Sequence, residues 1–154
     1  MEAARLAGPD DASAVVALAR QGQAELAPNR GGSVWSRREA HGDLPSVVAD
    51  AIDGADRRCA VVGTIDEAVI GYGLMQLETL HDGETLAVVT DLYVDPDARG
   101  VGVGEAMMDL LVERARAADA VGIDALALPG DRETKNFFET FGLTARAILV
   151  HRAL

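Results

Sequence analysis

The stretch that decides the fold of this chain is Leu92-Tyr93-Val94-Asp95-Pro96-Asp97-Ala98-Arg99-Gly100-Val101-Gly102-Val103-Gly104. It joins the apolar end of a predicted strand to a proline turn, an arginine and three alternating glycines, and a helical pattern follows from Glu105 to about Asp119. Glycines leave the backbone bare at this strand-to-helix turn, and the first N–H groups of a helix lack intrahelical partners. The stretch therefore predicts a binding site for an anionic group such as phosphate.

The spacing of the glycines argues against two nucleotide-binding motifs. A dinucleotide fingerprint needs G-x-G-x-x-G. Counted from Gly100, its last glycine would fall on Glu105, and counted from Gly102 it would fall on Met107. A P-loop needs Gly-Lys-Ser/Thr, whereas the only lysine of the chain is Lys135, far downstream. A glycine-rich turn without a ligand remains the structural alternative.

The run Arg99-x-x-Gly102-x-Gly104 resembles the R/Q-x-x-G-x-G/A pyrophosphate loop of the GNAT superfamily of N-acetyltransferases. The Leu-Tyr-Val-Asp-Pro segment before it and the amphipathic helix after it strengthen that resemblance. The predicted element order, β-α-α-β-β-β-α-β-α-β, is similar to the GNAT fold over nearly the whole chain. We therefore expect one α/β domain over residues 1–154, with a mixed, mostly antiparallel central sheet flanked by helices.

Local patterns predict where individual elements begin and end. Thr85 to Val94 is largely apolar on both faces, which predicts a central strand. Asp10 is the expected N-cap of the first helix, and Asp131 can cap the last one. Residues 28–36 are predicted to be loop, and residues 143–152 are predicted to return as the last strand of the sheet.

Composition and charge narrow the class of protein. The chain has 154 residues, 49% of them hydrophobic and 25% charged, which suits one globular domain. Its apolar runs are far shorter than the roughly 18 residues of a membrane span, and residues 1–5 begin without a basic and apolar leader, so we expect a cytoplasmic protein without a membrane partner. Cys59 lies alone in an apolar run and is expected to be a small core residue.

The net charge of −11 argues against a nucleic-acid partner, since phosphate backbones need a basic face. It is compatible with a cationic substrate, although solubility explains it as well. The three histidines are dispersed, and neither HExxH nor C-x-x-C occurs, so no metal is expected. The resemblance implies an amine-bearing small molecule or peptide as partner, and a homodimer stays open.

The resemblance also implies acetyl-CoA as cosubstrate and names the residues that would bind it. Backbone N–H groups of the loop would hold the pyrophosphate, and the Arg99 side chain could add charge-assisted contacts. The strand end would bind the pantetheine arm as an added strand, with one N–H facing the thioester oxygen. Leu126 to Leu128 would form the opposite wall. The expected cofactor-binding residues are Leu92, Tyr93, Val94, Arg99, Gly100, Val101, Gly102, Val103, Gly104, Glu105 and Phe138.

One carboxylate is the expected general base. Asp91 occupies the position where many GNAT members carry a glutamate before the Leu-Tyr-Val segment, so we expect it to accept a proton from the amine. A purely structural aspartate is the alternative, and Glu78 is a weaker candidate for the base. Trp35 lies in the loop where related folds line the acceptor pocket, and it could equally be a packing anchor.

The C-terminal helix departs from the family pattern. GNAT members often read N-x-x-A-x-x-F-Y-E-x-x-G-F, in which the tyrosine can protonate the departing thiolate. Here Phe138 stands in the tyrosine position and cannot donate a proton, while Asp131 and Thr134 replace the asparagine and alanine. The sequence thus favours an N-acetyltransferase that acts on a primary amine by direct attack. Its alternative is an acyl-CoA-binding or regulatory module that has lost turnover.

Overall fold

The computed structural model describes the backbone of residues 2–154 and the side chains from residue 3 onward. Of residues 1–5, for which the sequence predicted no leader, residue 1 lies outside the described residues. The strands are β1 (Glu2–Leu6), β2 (Arg58–Ile65), β3 (Ala68–Thr79), β4 (Thr85–Val94) and β5 (Gly122–Ala125). The helices are α1 (Ala12–Leu26), α2 (Gly32–Trp35), α3 (Leu44–Asp53), α4 (Val103–Ala117) and α5 (Arg132–Thr140). None of these helices is both long and apolar enough to cross a membrane.

The strands form one sheet in the order β1-β2-β3-β4-β5. The first four strands pair antiparallel with their neighbours, and β5 pairs parallel with β4. This arrangement confirms the predicted α/β class. β4 has a neighbouring strand on each side, but it lies next to the edge strand β5 and not at the middle of the sheet. The tight turn between β2 and β3 falls at Asp66 and Glu67, whose φ angles are 47° and 73°, as the twist of a two-residue hairpin loop demands.

Helices cover both faces of the sheet. On one face α1 and α3 bury Val15, Leu18 and Val48 in a cluster with residues of β2, β3 and β4. On the other face α4 buries Met107 and Leu111 in a second cluster, and each such side chain contributes roughly 1.5–3 kcal/mol on burial. The sheet therefore lies between two helical layers. The carboxyl end of β4 leads through residues 95–102 into the N-terminus of α4.

The close fit of α4 on the sheet depends on one glycine of β2. A Cβ atom at Gly63 would lie 2.2 Å from Val103 Cγ1, so a larger residue would push the start of α4 away. The buried face of α4 includes Val103, Met107, Met108 and Leu111. Ala106 and Leu110 lie at the border of this face and are half-buried.

Two local predictions near the N-terminus need correction. Asp11, not Asp10, occupies the N-cap position of α1, and its carboxylate does not cap this helix: it accepts from the N–H of Gly8 at 2.8 Å and from Arg5 at 2.7 and 3.0 Å. A short 3₁₀ turn over Pro9–Asp11 shifts the first helical residue by one position and so moves the cap. Residues 28–36 are also not all loop, because they contain the single helical turn α2.

The predicted last strand is absent. Residues 143–154 contain no strand, and the apolar side chains of Ile148, Leu149 and Val150 are exposed. A strand exists only through its pairing partners, and the outer edge of β5 is not paired within residues 2–154. Strand propensity alone was therefore a wrong basis for placing this segment in the sheet.

Candidate functional site

A bulge in β4 opens a gap in the sheet. Leu74 of β3 lies opposite Asp91, while its neighbour Met75 lies opposite Val89, so Thr90 is an extra residue on β4. The pairing of β4 with β5 covers only residues 86–89 and stops at the same place. Because a bulge bends its strand and increases the local twist, β4 and β5 part beyond it.

The far half of β4 presents backbone groups to this gap. The N–H of Asp95 donates to Ile70 O at 2.8 Å on the β3 side, and successive residues of a strand face opposite edges. Leu92 and Val94 therefore direct their N–H and C=O groups into the gap, whereas the backbone of Tyr93 faces β3. Of the three residues expected to form this edge, Leu92 and Val94 present main-chain groups to the gap, whereas Tyr93 contributes its side chain to the lining of the cavity.

The gap opens into a cavity of about 580 Å³. Leu126, Ala127 and Leu128 line the side opposite β4, as expected from the sequence. Trp35 lines the same cavity and is half-buried. Residues of β4, α1 and α5, the segment after β5, and the loop over residues 99–104, which we call the glycine loop, line this one cavity, which is the candidate site.

The glycine loop forms the start of α4. Gly100 and Gly102 have φ angles of 85° and 90°, a conformation that residues with a side chain rarely adopt, and Gly102 is the N-cap. The first helical bond runs from the N–H of Ala106 to Gly102 O at 3.1 Å. The N–H groups of the three preceding helical residues, 103 to 105, therefore have no intrahelical acceptor.

The other loop positions have different roles. A Cβ atom at Gly100 or Gly102 would meet open space, so backbone conformation is what requires glycine there. A Cβ atom at Gly104 would instead lie 3.4 Å from the ring of Phe137, an ordinary van der Waals contact, so α4 and α5 pack against each other at this position. Val101 is exposed and does not line the cavity, unlike the remaining residues from 99 to 105.

Arg99 is tied to α1. Its guanidinium donates to Glu25 at 2.9 and 3.2 Å and to Val94 O at 3.0 Å, and it lies 5.3 Å from the centre of the Tyr93 ring. Tyr93 donates its hydroxyl to Glu25 at 2.7 Å, and burial together with this carboxylate raises the pKa of Tyr93 to about 12. The sequence predicted Arg99 as an anion ligand but gave no sign of Glu25 as its partner.

Asp91 lies at the cavity wall with both carboxylate oxygens engaged. Tyr72 donates its hydroxyl to one oxygen at 2.7 Å, and His41 Nε2 lies 2.7 Å from the other. An ionised carboxylate only accepts, so Nε2 carries the hydrogen in this bond. Burial, and then the charge of Asp91, raises the pKa of Tyr72 above its ordinary value. Gln23 donates to the backbone oxygen of His41 at 3.1 Å and so fixes the loop that carries it.

Sequence reasoning missed His41 and Tyr72. The two residues are 50 and 19 positions from Asp91, and no motif spacing links them. The other candidate base, Glu78, lies at the C-terminal end of β3, is exposed and does not line the cavity. The structure therefore brings Asp91 to the candidate site and places Glu78 outside it.

Phe138 lines the cavity and is buried, with its ring edge-on to Phe137 at 5.8 Å between centroids. The predicted cap of α5 is present, since Asp131 accepts from the N–H of Thr134 at 3.3 Å and from its hydroxyl at 2.6 Å. No group of three histidine, cysteine, aspartate or glutamate side chains within the described residues is arranged to hold a metal ion.

The charged groups around the cavity are mostly acidic. Arg99 is the one basic side chain among the described residues that line it. The acidic lining residues are Glu25, Asp91, Glu105, Asp131 and Glu133. The N-terminus of α4 and Arg99 favour an anion at one end of the cavity, where Glu25 and Glu105 also lie. Asp91, Asp131 and Glu133 favour a cation in the remaining part.

Residues 30–143 match the Acetyltransferase (GNAT) family, and the chain belongs to this family of acetyltransferases. The fold is similar to that of the BH1408 protein of Bacillus halodurans, whose tetramutant structure has a TM-score of 0.81 at 21% identity and covers 98% of this chain and 99% of that one.

Two further structures extend the comparison at the level of the fold. Ribosomal-protein-alanine N-acetyltransferase of Brucella melitensis has a TM-score of 0.69 at 18% identity, with 99% of each chain covered. AAC(6')-Iy, in complex with the bisubstrate analogue CoA-S-monomethyl-acetylneamine, has a TM-score of 0.75 at 14% identity and covers 100% of this chain and 99% of that one. No curated protein matches this chain by sequence.

Proposed function

We propose that this protein, as one domain over residues 1–154, transfers the acetyl group of acetyl-CoA to a primary amine by direct attack. The observation that carries the proposal is the gap between β4 and β5, because it runs without interruption into the open N-terminus of α4. An extended amide chain that ends in a pyrophosphate fits such a combination of strand edge and anion site. A cytoplasmic location remains a prediction from the sequence.

The cosubstrate is held by main-chain groups in this proposal. The N–H groups of residues 103 to 105 bind the pyrophosphate, and Leu92 and Val94 pair with the pantetheine amides. Arg99 turns from Glu25 toward the phosphates, which is feasible because both side chains are partly exposed and their ion pair is a surface one. The neighbour AAC(6')-Iy binds an analogue that contains CoA, which supports the same cosubstrate here.

Asp91 is the proposed general base. An alkylammonium acceptor has a pKa of about 10.4 and must lose a proton before its nitrogen can attack the thioester carbon. Tyr72 and His41 hold the Asp91 carboxylate at the cavity wall, where it can accept that proton directly or through one water. The N–C bond then forms, the C–S bond breaks, and CoA leaves as the thiolate while the nitrogen passes its second proton to solvent, which in turn protonates the thiolate.

The departing thiolate has no tyrosine at position 138 to protonate it. With a thiol pKa of about 8.5 it is a tolerable leaving group, and solvent can supply the proton. Phe138 nevertheless favours a second candidate function, an acyl-CoA-binding module without turnover. The hydroxyls of Tyr72 and Tyr93 do not replace the missing one, since each donates to a carboxylate.

Turnover separates the two functions. We expect acetyl-CoA and a panel of primary amines to yield free thiol and an acetylated product of the expected mass. Asp91→Asn should lower kcat by about 10²- to 10⁴-fold at neutral pH, and part of this loss should return at high pH as more amine becomes neutral. Asp109→Asn, on the exposed side of α4, is the matched control and should leave kcat unchanged.

Binding of acetyl-CoA without product for any amine would support the lapsed module. Turnover that appears only in Phe138→Tyr would point the same way, because the substitution restores the missing acid. An active parent that is indifferent to Asp91→Asn would mean that the amine loses its proton to bulk water or to another group.

A further inference from the structure

Two carboxylates face the candidate site from neighbouring places, and a tyrosine holds each of them. Tyr72 donates its hydroxyl to Asp91, and Tyr93 donates its hydroxyl to Glu25, both at 2.7 Å. Tyr72 and Tyr93 lie directly opposite each other on β3 and β4, and both belong to the cluster on the α1 side of the sheet. Opposite residues of antiparallel strands have Cβ atoms about 4.5–5.5 Å apart. Asp91 and Glu25 are therefore neighbours on one wall of the cavity and within reach of a single small molecule.

Glu25 has a charged partner that the proposed cosubstrate also needs. Arg99 donates to Glu25 at 2.9 and 3.2 Å, and each of these two side chains is 38% exposed. Arg99 belongs to the glycine loop and is the one basic side chain among the described residues that line the cavity. In the described chain the other donor to Glu25 is the hydroxyl of Tyr93, which carries no charge. Because a partly exposed ion pair is weak, another cation can take the place of Arg99 beside Glu25.

Acetyl-CoA bound in the proposed way changes the charge around Glu25. The pyrophosphate attracts Arg99, so Glu25 keeps only a neutral donor, and the phosphates add negative charge at the same end of the cavity. A cationic group that enters beside Glu25 compensates for both effects. Asp91, on the same wall, is where the proposed reaction places the primary amine. A molecule with an amine at one end and a second positive charge at the other therefore matches the two carboxylates.

We propose that the acceptor carries two positive charges, and that its second ammonium group pairs with Glu25 once acetyl-CoA has drawn Arg99 away. The amine at Asp91 takes the acetyl group, as in the proposed function on which this inference rests, while the ammonium group at Glu25 keeps its protons. Glu25 is then a specificity-determining residue, and Arg99 links the two binding sites. Because such a linkage is reciprocal, the acceptor raises the affinity for CoA by the same factor by which CoA raises the affinity for the acceptor.

Calorimetry with unacylated CoA and putrescine, a diamine with a short apolar chain, tests the linkage without turnover. Putrescine should bind the CoA complex at least about 5-fold more tightly than it binds the free protein. Butylamine, which lacks the second charge, should bind the complex more weakly than putrescine does. Glu25→Gln should remove the linkage, whereas Glu113→Gln, on the exposed side of α4, is the matched control and should retain it. Equal affinity of the parent for putrescine with and without CoA, or a linkage that survives in Glu25→Gln, would overturn the proposal.

A second variant frees Glu25 without any cosubstrate. Arg99→Gln removes the charged partner, so the free variant should bind putrescine about as tightly as the parent binds it with CoA, and CoA should add little further. Melting temperatures of all variants check that the fold is intact. A free Arg99→Gln variant that binds putrescine no better than the free parent would show that Glu25 does not bind the second charge.

Kinetics at saturating acetyl-CoA separate this inference from the proposed function. The kcat/KM for putrescine should exceed that for butylamine by about 5-fold, and Glu25→Gln should remove the difference. Equal kcat/KM values for the two amines in the parent would leave the acetyl transfer standing and refute the role of Glu25. Putrescine binding that responds to Glu25→Gln and Arg99→Gln as expected, without product from any amine, would instead support the cation site and contradict the acetyl transfer.

Discussion

At the scale of single residues, Asp91 depends on groups that lie outside any motif. Its two oxygens accept from Tyr72 and His41, so its orientation is set by a strand residue and by a loop between two helices. Removal of either donor leaves a carboxylate near the cavity with fewer restraints. We expect such a change to affect the proposed proton transfer more than the proposed binding of acetyl-CoA, because neither donor belongs to the glycine loop.

We expect His41→Ala to lower kcat by about 10- to 100-fold through misplacement of the carboxylate, with little change in the KM for acetyl-CoA. His41→Gln keeps an N–H donor and should recover part of the loss. Steady-state kinetics of the parent and both variants, with melting temperatures as a check on folding, measure this. Equal losses of kcat and of acetyl-CoA affinity would contradict the assignment of His41 as a positioning residue.

At the scale of elements, the junction of β1 and α1 is held by one carboxylate. Asp11 accepts from Arg5 and from the N–H of Gly8, and the hydrogen bond from Arg5 is the main reason that the pKa of Asp11 lies below its ordinary value. Burial of the carboxylate opposes this shift but does not cancel it. The junction is therefore a pH-dependent part of the fold.

A carboxylate with a lowered pKa stabilises the folded state above its unfolded pKa, and that contribution is lost as the pH falls through the folded value. We expect Asp11→Asn to lower the free energy of unfolding by about 1 kcal/mol at pH 7, since water screens the half-exposed Arg5. The difference from the parent should shrink as the pH drops below about 4.

Urea unfolding at several pH values measures this effect. Asp10→Asn is the matched control, because Asp10 is the neighbouring acid and is exposed. A larger loss of stability in Asp10→Asn than in Asp11→Asn would restore the N-cap that the sequence predicted and would count against the Asp11 junction.

At the scale of the whole molecule, the candidate site lies where the two halves of the sheet separate. A ligand that spans the gap contacts β4, α4, α5 and the loop after β5, so it stabilises the folded state as a unit. Acetyl-CoA at about 100 times its Kd would add ~2.7 kcal/mol, which corresponds to an increase in Tm of about 5–10 °C for a chain of this size.

A pair of glycines tests whether the loop carries that effect. Gly102 and Gly83 have φ angles of 90° and 88°, and a Cβ atom at either position would meet open space. Gly102→Val and Gly83→Val should therefore destabilise the free protein similarly, by about 1–3 kcal/mol. Only Gly102→Val should abolish the thermal shift with acetyl-CoA, because Gly83 lies in the hairpin before β4. A normal shift in Gly102→Val would disprove the phosphate site.

The sequence by itself determined the parts of this protein whose causes are local. The glycine loop, α4 after it, the hairpin turn before β3 and the Asp131 cap of α5 depend on residues a few positions apart. Backbone conformation and capping are decided over such distances, and so is the apolar character of both faces that identifies β4 as a strand inside the sheet. The GNAT motif is of the same kind, which is why the family could be predicted before the fold was known.

Only the tertiary structure decided the contacts between distant segments. The bulge at Thr90, the meeting of Asp91 with His41 and Tyr72, and the tie between Arg99 and Glu25 all follow from strand register and helix packing. The absence of a strand over residues 143–154 has the same origin, since an apolar run becomes a strand only where its backbone pairs with that of another strand. Register and packing sum interactions over the whole chain, so no local pattern of residues contains them.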